Sequence, residues 1–349
     1  MSNNPSKKFI LILPLEESGL FSLFFLVLGY LYLCKKKLRI PLVYFNKKCL
    51  YWSPRGFNGS RNVWEYYFKP VSEYGIKDFF SEELETLEGL SVSDFKRINR
   101  FSNIYITNKY PKVVPWISPY AVEKKRKFIN SLINKHIEIK KNILDKAEIF
   151  YEKNIKGFKV VAVHFRGKEK YRGKRADTPE ITCSQDYISE IEAYLKRVPD
   201  AKFFVATDSE EFLRKLKSMY SDIIIFQDVQ RLSENEEISG LHFNEKYQGP
   251  KLGEEVLVDA LLMSKCDFFI HGTSNVSSFV LFINLALKHI NIEADKVDRL
   301  GASHFIFYKK EFENYINRNV GKIGIFMKRA SPSLYKILKH YFPDKKYKQ

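Results

Sequence analysis

Cysteine is scarce in this chain, and the few present do not cluster. Cys34, Cys49, Cys183 and Cys266 are the only four in 349 residues. They form no CxxC pair and none has a histidine at metal-ligand spacing, which speaks against a disulfide framework and against a zinc site. They read as reduced thiols of a cytoplasmic protein. Acidic residues are also in short supply, 41 against 58 basic ones, for a formal charge of +17. Such an excess favours partners that carry phosphate or other anions, without choosing among nucleic acid, lipid headgroups and nucleotide substrates. The abundance of Lys, Asn and Ile makes compositional bias a competing source of part of that charge. Tandem repeats and low-complexity blocks are absent. So are helix-turn-helix, zinc-finger and RNA-recognition signatures, which excludes the common nucleic-acid-binding modules.

Long apolar runs are nearly absent too. One, Ser18 to Cys34, is uncharged for 17 residues and is followed by Lys35, Lys36 and Lys37. By itself that is the pattern of a signal anchor, at the lower edge of the length needed to span a bilayer. Its surroundings read differently. A short apolar run, Phe9 to Leu13, and a break at Pro14 to Gly19 precede it, and a second strand-like run, Ile40 to Phe45, follows. That order is strand, Gly-containing turn, buried helix, strand. The expectation is a helix inside the protein.

What the chain does have is core: 45 % of its residues are hydrophobic, and its length fits two domains better than one. Residues 1–150 read as an N-terminal α/β domain with an aromatic loop region, Tyr51 to Phe68, and a charged, largely helical stretch, Val122 to Tyr151. Residues 151–300 alternate regularly. Strands are expected at Phe158–Phe165, Phe203–Thr207, Ile223–Phe226 and Phe268–His271. Helices are expected at Gln185–Arg197, Ser209–Met219, Leu252–Lys265 and Ser277–Lys288. Such alternation requires right-handed crossovers and a doubly wound parallel sheet. Residues 301–349 make a basic tail, 11 basic against 3 acidic, expected to be helical and to pack back on the domains. Ligands of such sheets bind beyond the carboxyl ends of the strands, so those ends carry the functional candidates.

The first strand ends in His164-Phe165-Arg166-Gly167. His164 and Arg166, two apart, point to one side of the strand. From His164 to Arg175 there are six basic residues against one acid, Glu169. A guanidinium grips two phosphate oxygens at once, and a neighbouring glycine lets backbone approach a ligand; a solvated basic loop is the competing reading. The second ends in Thr207-Asp208-Ser209-Glu210-Glu211, where Asp208 with Glu211 reads as a helix-capping pair. An Asp-x-Asp-type metal site is rejected there for want of a second ligand. The third ends in His271-Gly272-Thr273-Ser274-Asn275, small residues that leave backbone N–H groups free at a helix N-terminus, where capping and diphosphate binding are compatible. One helix earlier, Asp259 falls on an apolar arc. A carboxylate there needs a partner, either an internal Arg or Lys or the paired donors of a guanine edge.

At these residues the chain resembles the GDP-fucose-dependent fucosyltransferases that include the rhizobial nodulation enzyme and the animal α1,6-fucosyltransferase. His164-Phe165-Arg166-Gly167-Lys168-Glu169-Lys170 is similar to that family's His-x-Arg-Arg/Gly-Thr-Asp-Lys segment. Ala206-Thr207-Asp208 is similar to its second motif, and Asp259 to Phe268 followed by Ser274-Asn275 to its third. The ordered set spans roughly Val160 to Leu285; more faintly, Gly19 to Tyr32 and Asn62 to Phe68 resemble the opening segments of bacterial members. There are two departures: Gly167 replaces the second Arg of the animal motif, and Lys168-Glu169 replaces Thr-Asp.

The resemblance implies a GT-B fold with two Rossmann-like domains, and inverting transfer from a GDP-sugar, fucose first, with no cofactor and no metal. It implies a donor site of His164, Arg166, Gly167, Lys170, Asp208, Asp259, Ser274 and Asn275, with Arg166 on the diphosphate. Glu169 is the first candidate base, with Asp177 and Glu180 beside it. The acceptor is expected to be a glycan or glycolipid hydroxyl, met by aromatic faces at Trp52, Trp64, Tyr66 and Tyr67. The expected setting is cytoplasmic, with peripheral contact at the inner membrane surface admitted and no nucleic-acid partner. The competing class is a basic protein that binds nucleic acid or a membrane surface and performs no chemistry.

Overall fold

The computed structural model describes residues 7–80, 87–99, 103–109, 123–167, 183–233 and 246–293. All of these lie in one compact unit, Met1–Glu293. Ala294–Gln349 form a separate unit, and the basic tail expected at 301–349 lies outside the described residues.

The chain opens as β1 (Lys8–Ile12), α1 (Leu20–Lys37) and β2 (Arg39–Val43), a βαβ unit with β1 and β2 parallel and in register from Lys8 opposite Arg39 to Ile12 opposite Val43. β3 (Ile104–Thr107) joins the other side of β1, so the order is β2-β1-β3, all parallel. α1 is the expected buried helix. Eleven of its 18 residues are buried, and a helix apolar on every side belongs inside a protein or a membrane. Here protein covers it: Phe21 and Phe24 pack on Phe279 with ring centroids 4.5 and 5.1 Å apart, and Phe25 meets Phe282 at 6.0 Å. No helix among the described residues is long and apolar enough to cross a membrane. Lys35, Lys36 and Lys37 occupy the last turn, where cations meet the negative end of the helix dipole.

Two short helices follow, α2 (Trp64–Tyr67) and α3 (Val92–Ile98), the latter started by a Ser91–Asp94 capping box. α4 (Glu123–His136) and α5 (Lys141–Asn154) are separated at 137–140. That gap ties down the end of α2: Lys140 N donates to Tyr67 O at 2.9 Å, and Lys69 N to Glu138 O at 2.8 Å.

The second half alternates as expected: β4 (Val160–Phe165), α6 (Ser184–Leu195), β5 (Lys202–Thr207), α7 (Glu210–Tyr220), β6 (Ile224–Ile225), α8 (Pro250–Ser264), β7 (Phe268–His271), α9 (Asn275–Ile283) and β8 (Lys288–Asn291). Its sheet is entirely parallel, in the order β6-β5-β4-β7-β8. Both faces are covered, which is why the strands read as unbroken apolar runs. Val161, Val163, Phe203, Val205 and Ile270 pack toward α6 and α7. Val160, Ala162, Phe204 and Phe269 face the other way, into a core shared with α1, α8 and α9. The helix expected at Ser277–Lys288 stops at Ile283, and the residues after it form β8. Asn284 is the cause: its amide donates to Ser264 O at 2.8 Å and its Oδ1 accepts from Ala286 N at 3.0 Å, which turns the chain back into the sheet.

All four cysteines are free; Cys34, Cys49 and Cys266 are buried and Cys183 is exposed. Burial pushes the Cys34 and Cys49 thiols up to about 12 and raises Cys266 as well, so none of the three is a thiolate near neutral pH.

Candidate functional site

In the five-stranded sheet the strand order reverses between β4 and β7, the place where doubly wound sheets open a crevice. A cavity of about 380 Å³ lies there, walled by the carboxyl ends of both sheets. From the three-stranded side come Glu17 to Ser22, at the start of α1, and Tyr51. From the five-stranded side come the ends of β4 and β5, the loop at Val229 and Gln230, one face of α8, and Asn275 and Val276 at the start of α9. The α8 face is Leu252, Glu255, Val256, Asp259 and Met263, positions that recur every three or four residues.

At the end of β4, His164 is 9 % exposed and its Nδ1 lies 3.3 Å from Ser277 Oγ. Arg166, just past the strand, lines the cavity. Gly167 N donates to Asp208 Oδ1 at 2.7 Å. A Cβ at 167 would stand 3.2 Å from that oxygen and 3.3 Å from Ser209 Cβ, so glycine lets the two strand ends lie this close. Asp208 is therefore a brace between the β4 and β5 loops and not the helix cap read from its spacing to Glu211. The cap of α7 is Ser209, whose hydroxyl accepts from Phe212 N at 3.2 Å. The next residue was available for the same job, and the β4 loop supplied a better donor for Asp208.

Ser274 caps α9, accepting from Ser277 N at 3.0 Å, and its hydroxyl lies 2.9 Å from that of Ser277. Ser277 Oγ in turn donates to Gly272 O at 2.9 Å. These hydroxyls hold the helix start in place while Asn275 and Val276 line the cavity. Early N–H groups of a helix lack intrahelical acceptors, which suits them to an anion.

Asp259 projects from α8 onto the cavity wall and is half-buried. Its partner is neither of the cations weighed from sequence but Gln227, which donates Nε2 to Oδ1. Arg231 fastens that loop, donating to Gln227 O at 2.6 Å and Val229 O at 3.0 Å. Burial pushes the Asp259 carboxyl up to about 7; the Gln227 hydrogen bond and the Arg231 charge pull it down, and Glu255 adds to the rise. Glu255 itself, one turn away on the same face, has a side chain only 11 % exposed, with Lys251 Nζ at 3.5 Å, and burial raises its carboxyl too. Sequence reasoning passed over Glu255, although its i, i+4 spacing to Asp259 was a usable signal. Tyr51 was passed over as well; its hydroxyl accepts from Leu20 N at 2.8 Å and fixes the start of α1.

The aromatic residues expected to face an acceptor do not line this cavity. Trp64, Tyr66 and Tyr67 are at most 2 % exposed, and Trp52, half-buried, packs on the same core. Trp64 stacks on Phe68 at 4.3 Å. Tyr67 instead joins the two halves of the molecule: its hydroxyl donates to Pro250 O at 2.9 Å and its ring fills the space where Gly253 has no side chain. Glu169 and Lys170 lie outside the described residues, as do Asp177 and Glu180. Among the described residues no three His, Cys, Asp or Glu side chains gather as a metal site would require.

No family model matches the chain, and no curated protein matches it in sequence. Solved structures match it by fold. The fucosyltransferase NodZ from Bradyrhizobium is 12 % identical, with a TM-score of 0.50 over 82 % of this chain and 95 % of that one. POFUT1 in complex with GDP is 13 % identical, with a TM-score of 0.50 over 82 % of this chain and 98 % of that one. The architecture is thus α/β of the GT-B type, the fold of these fucosyltransferases.

Proposed function

We propose that the protein is a glycosyltransferase that transfers a sugar, fucose first among the candidates, from a guanosine diphosphate donor to a glycan or glycolipid hydroxyl. The observation that carries this reading is convergence. Arg166, the start of α9 and the half-buried carboxylate of Asp259 meet in one cavity at the switch point of a parallel sheet. A diphosphate complements the first two, and the adjacent N1–H and amino donors of guanine complement the third. NodZ, one of the similar solved structures, is a fucosyltransferase, and the POFUT1 structure holds GDP.

In this reading the acceptor oxygen attacks the anomeric carbon as the bond from that carbon to the diphosphate oxygen breaks. The bond's electron pair leaves with GDP, and attack from the opposite face inverts the carbon. Charge grows on the leaving phosphate, where a preorganised guanidinium and helix N–H groups stabilise it and take the role a cation has elsewhere. The acceptor proton passes to a carboxylate. Glu17 lines the cavity from the three-stranded side, its backbone in the left-handed region at φ 53°, and stands as a candidate beside Glu169.

A thermal-shift series tests the donor. GDP is expected to raise the unfolding midpoint more than UDP, CMP or ADP, because bound ligand stabilises in proportion to the logarithm of its concentration over its dissociation constant. Equal shifts with GDP and UDP would remove the guanine assignment. A shift with generic DNA that vanishes in salt, and none with any nucleotide, would return the chain to the non-catalytic class.

A further inference from the structure

We infer that the cavity recognises a ribonucleoside through two carboxylates, Asp259 taking the donor edge of the base and Glu255 taking the 2′- and 3′-hydroxyls of the ribose. This rests on the nucleotide reading above and extends it to a residue that the reading leaves idle. The geometry starts from α8. Residues four apart on a helix place their Cβ atoms about 5–6 Å apart on one face, and both Glu255 and Asp259 turn that face to the cavity.

Glu255 is hard to explain as ordinary surface chemistry. Its carboxylate oxygens are buried, and the donors that approach them, Lys251 Nζ at 3.5 Å and the Gln230 backbone, make weak hydrogen bonds at best. The Lys251 ammonium at 3.5 Å and the Gln230 backbone partly offset its charge, but Lys251 is itself 73 % exposed and shares it with water. A buried carboxylate left in that state costs the fold stability, so it persists more readily where a ligand completes it. The neighbouring wall residues Leu252, Val256 and Met263 offer no hydrogen-bond donor from their side chains. Gln230 and Lys251 leave acceptor capacity on the carboxylate that a bound ligand would fill.

A guanosine unit carries two such pairs of donors, one on the edge of the base and one on the vicinal diol of the sugar. Each pair matches the two oxygens of one carboxylate. Asp259 accepts from Gln227 at Oδ1 beside the Val229 and Gln230 loop, which leaves Oδ2 and a second lone pair on Oδ1 for the base edge. Glu255 has the longer side chain and sits one turn nearer the start of α8, beside Leu252. The ribose lies between the base and the diphosphate, and its vicinal diol is the partner that fits it.

The test is a binding series with the full chain, using GDP, 2′-deoxy-GDP and IDP as probes. A hydrogen bond to a charged group has the strength to separate GDP from 2′-deoxy-GDP by roughly tenfold to a hundredfold. In Glu255→Gln that ratio should collapse to within about twofold while the preference for GDP over IDP, which lacks the 2-amino group, survives. Asp259→Asn should do the reverse. Equal affinity of the unaltered protein for GDP and 2′-deoxy-GDP would overturn the inference and leave the guanine reading standing, and this measurement needs no variant to fold. Full sugar discrimination retained in Glu255→Gln would overturn it as well. Should UDP bind as tightly as GDP, yet 2′-deoxy-UDP fall behind in a Glu255-dependent way, the ribose assignment stands and the guanine assignment falls.

Discussion

The three-stranded sheet meets the cavity with the start of a buried helix and a tyrosine, whereas the five-stranded sheet meets it with His164, Arg166, Asp208 and, through α8, Glu255 and Asp259. Both sheets are parallel and both turn their carboxyl ends to the same space. What differs is polarity. Of the cavity residues contributed from the N-terminal half, Glu17 alone carries charge, and Leu20 and Phe21 are buried core residues. In the proposed reading one half supplies the groups that grip a charged ligand and the other completes the cavity wall. Substitution of the charged cavity residue Arg166 in the five-stranded half should change ligand chemistry far more than stability. Substitutions at the seam should change stability first.

The largest effect is expected at Arg166. Arg166→Ala and Arg166→Lys should both lower donor turnover by roughly a hundredfold, about 3 kcal/mol, since lysine keeps the charge but loses the planar fork. Unfolding midpoints should stay near that of the unaltered protein. Replacing Lys168 or Lys174 should cost far less; equal losses at all three positions would reduce Arg166 to one member of a basic patch.

The seam comes next. Gly253→Leu drives a side chain into the Tyr67 ring, and overpacking of this kind costs about 1–3 kcal/mol. A denaturation midpoint lowered by that amount is the expected result, and an unchanged midpoint would mean the halves are not held together there.

Asp259 should give the ligand-free protein a pH signature. Its folded carboxyl titrates at about 7 against an ordinary value of 3.8, so between those values the folded state holds more protons than the unfolded state. Stability contributed by this group is full below about pH 4, falls as the pH rises toward 7, and is level above. Asp259→Asn should flatten that slope in a series of thermal scans. Guanine binding should move the other way and tighten as pH rises through 7, because the ionised carboxylate accepts from both donors. The smallest effect is at Ser274→Ala, where loss of the α9 cap should cost about 1 kcal/mol, read as a modest fall in the unfolding midpoint.

How much of this was readable beforehand follows the same division. β4, β5 and β7 were legible because strands buried on both faces are short apolar runs that stop at polar residues, and the site candidates sit at those stops. The helical reading of Ser18 to Cys34 was legible from its neighbours, since a strand on either side is poor context for an anchor. β8 was not, because Leu285 and Leu287 prolong the apolar pattern of α9 and only the Asn284 side chain, bonded to Ser264 O, breaks it. The cap at Ser209 was missed because a spacing rule cannot see that Asp208 has a partner 41 residues away. Trp64, Tyr66 and Tyr67 looked like a sugar platform because composition does not distinguish an aromatic core from an aromatic surface. Glu255 lay next to Glu254, and only the helix shows that Glu255 lines the cavity while Glu254 meets Lys146.

The enclosure of α1 also has a meaning for the life of the chain on the ribosome. Trp64 and Phe68 cover part of Phe24, but the rings against Phe21 and Phe25, and one against Phe24, belong to Phe279 and Phe282, so α1 is synthesised long before that part of its cover. At about 5–20 residues per second, on the order of ten seconds or more separate the two. During that interval part of the apolar face of α1 lacks its native cover, and transiently exposed apolar surface of this kind is prone to aggregate. A chain released early, anywhere before residue 275, would keep that surface and be marked for aggregation or degradation.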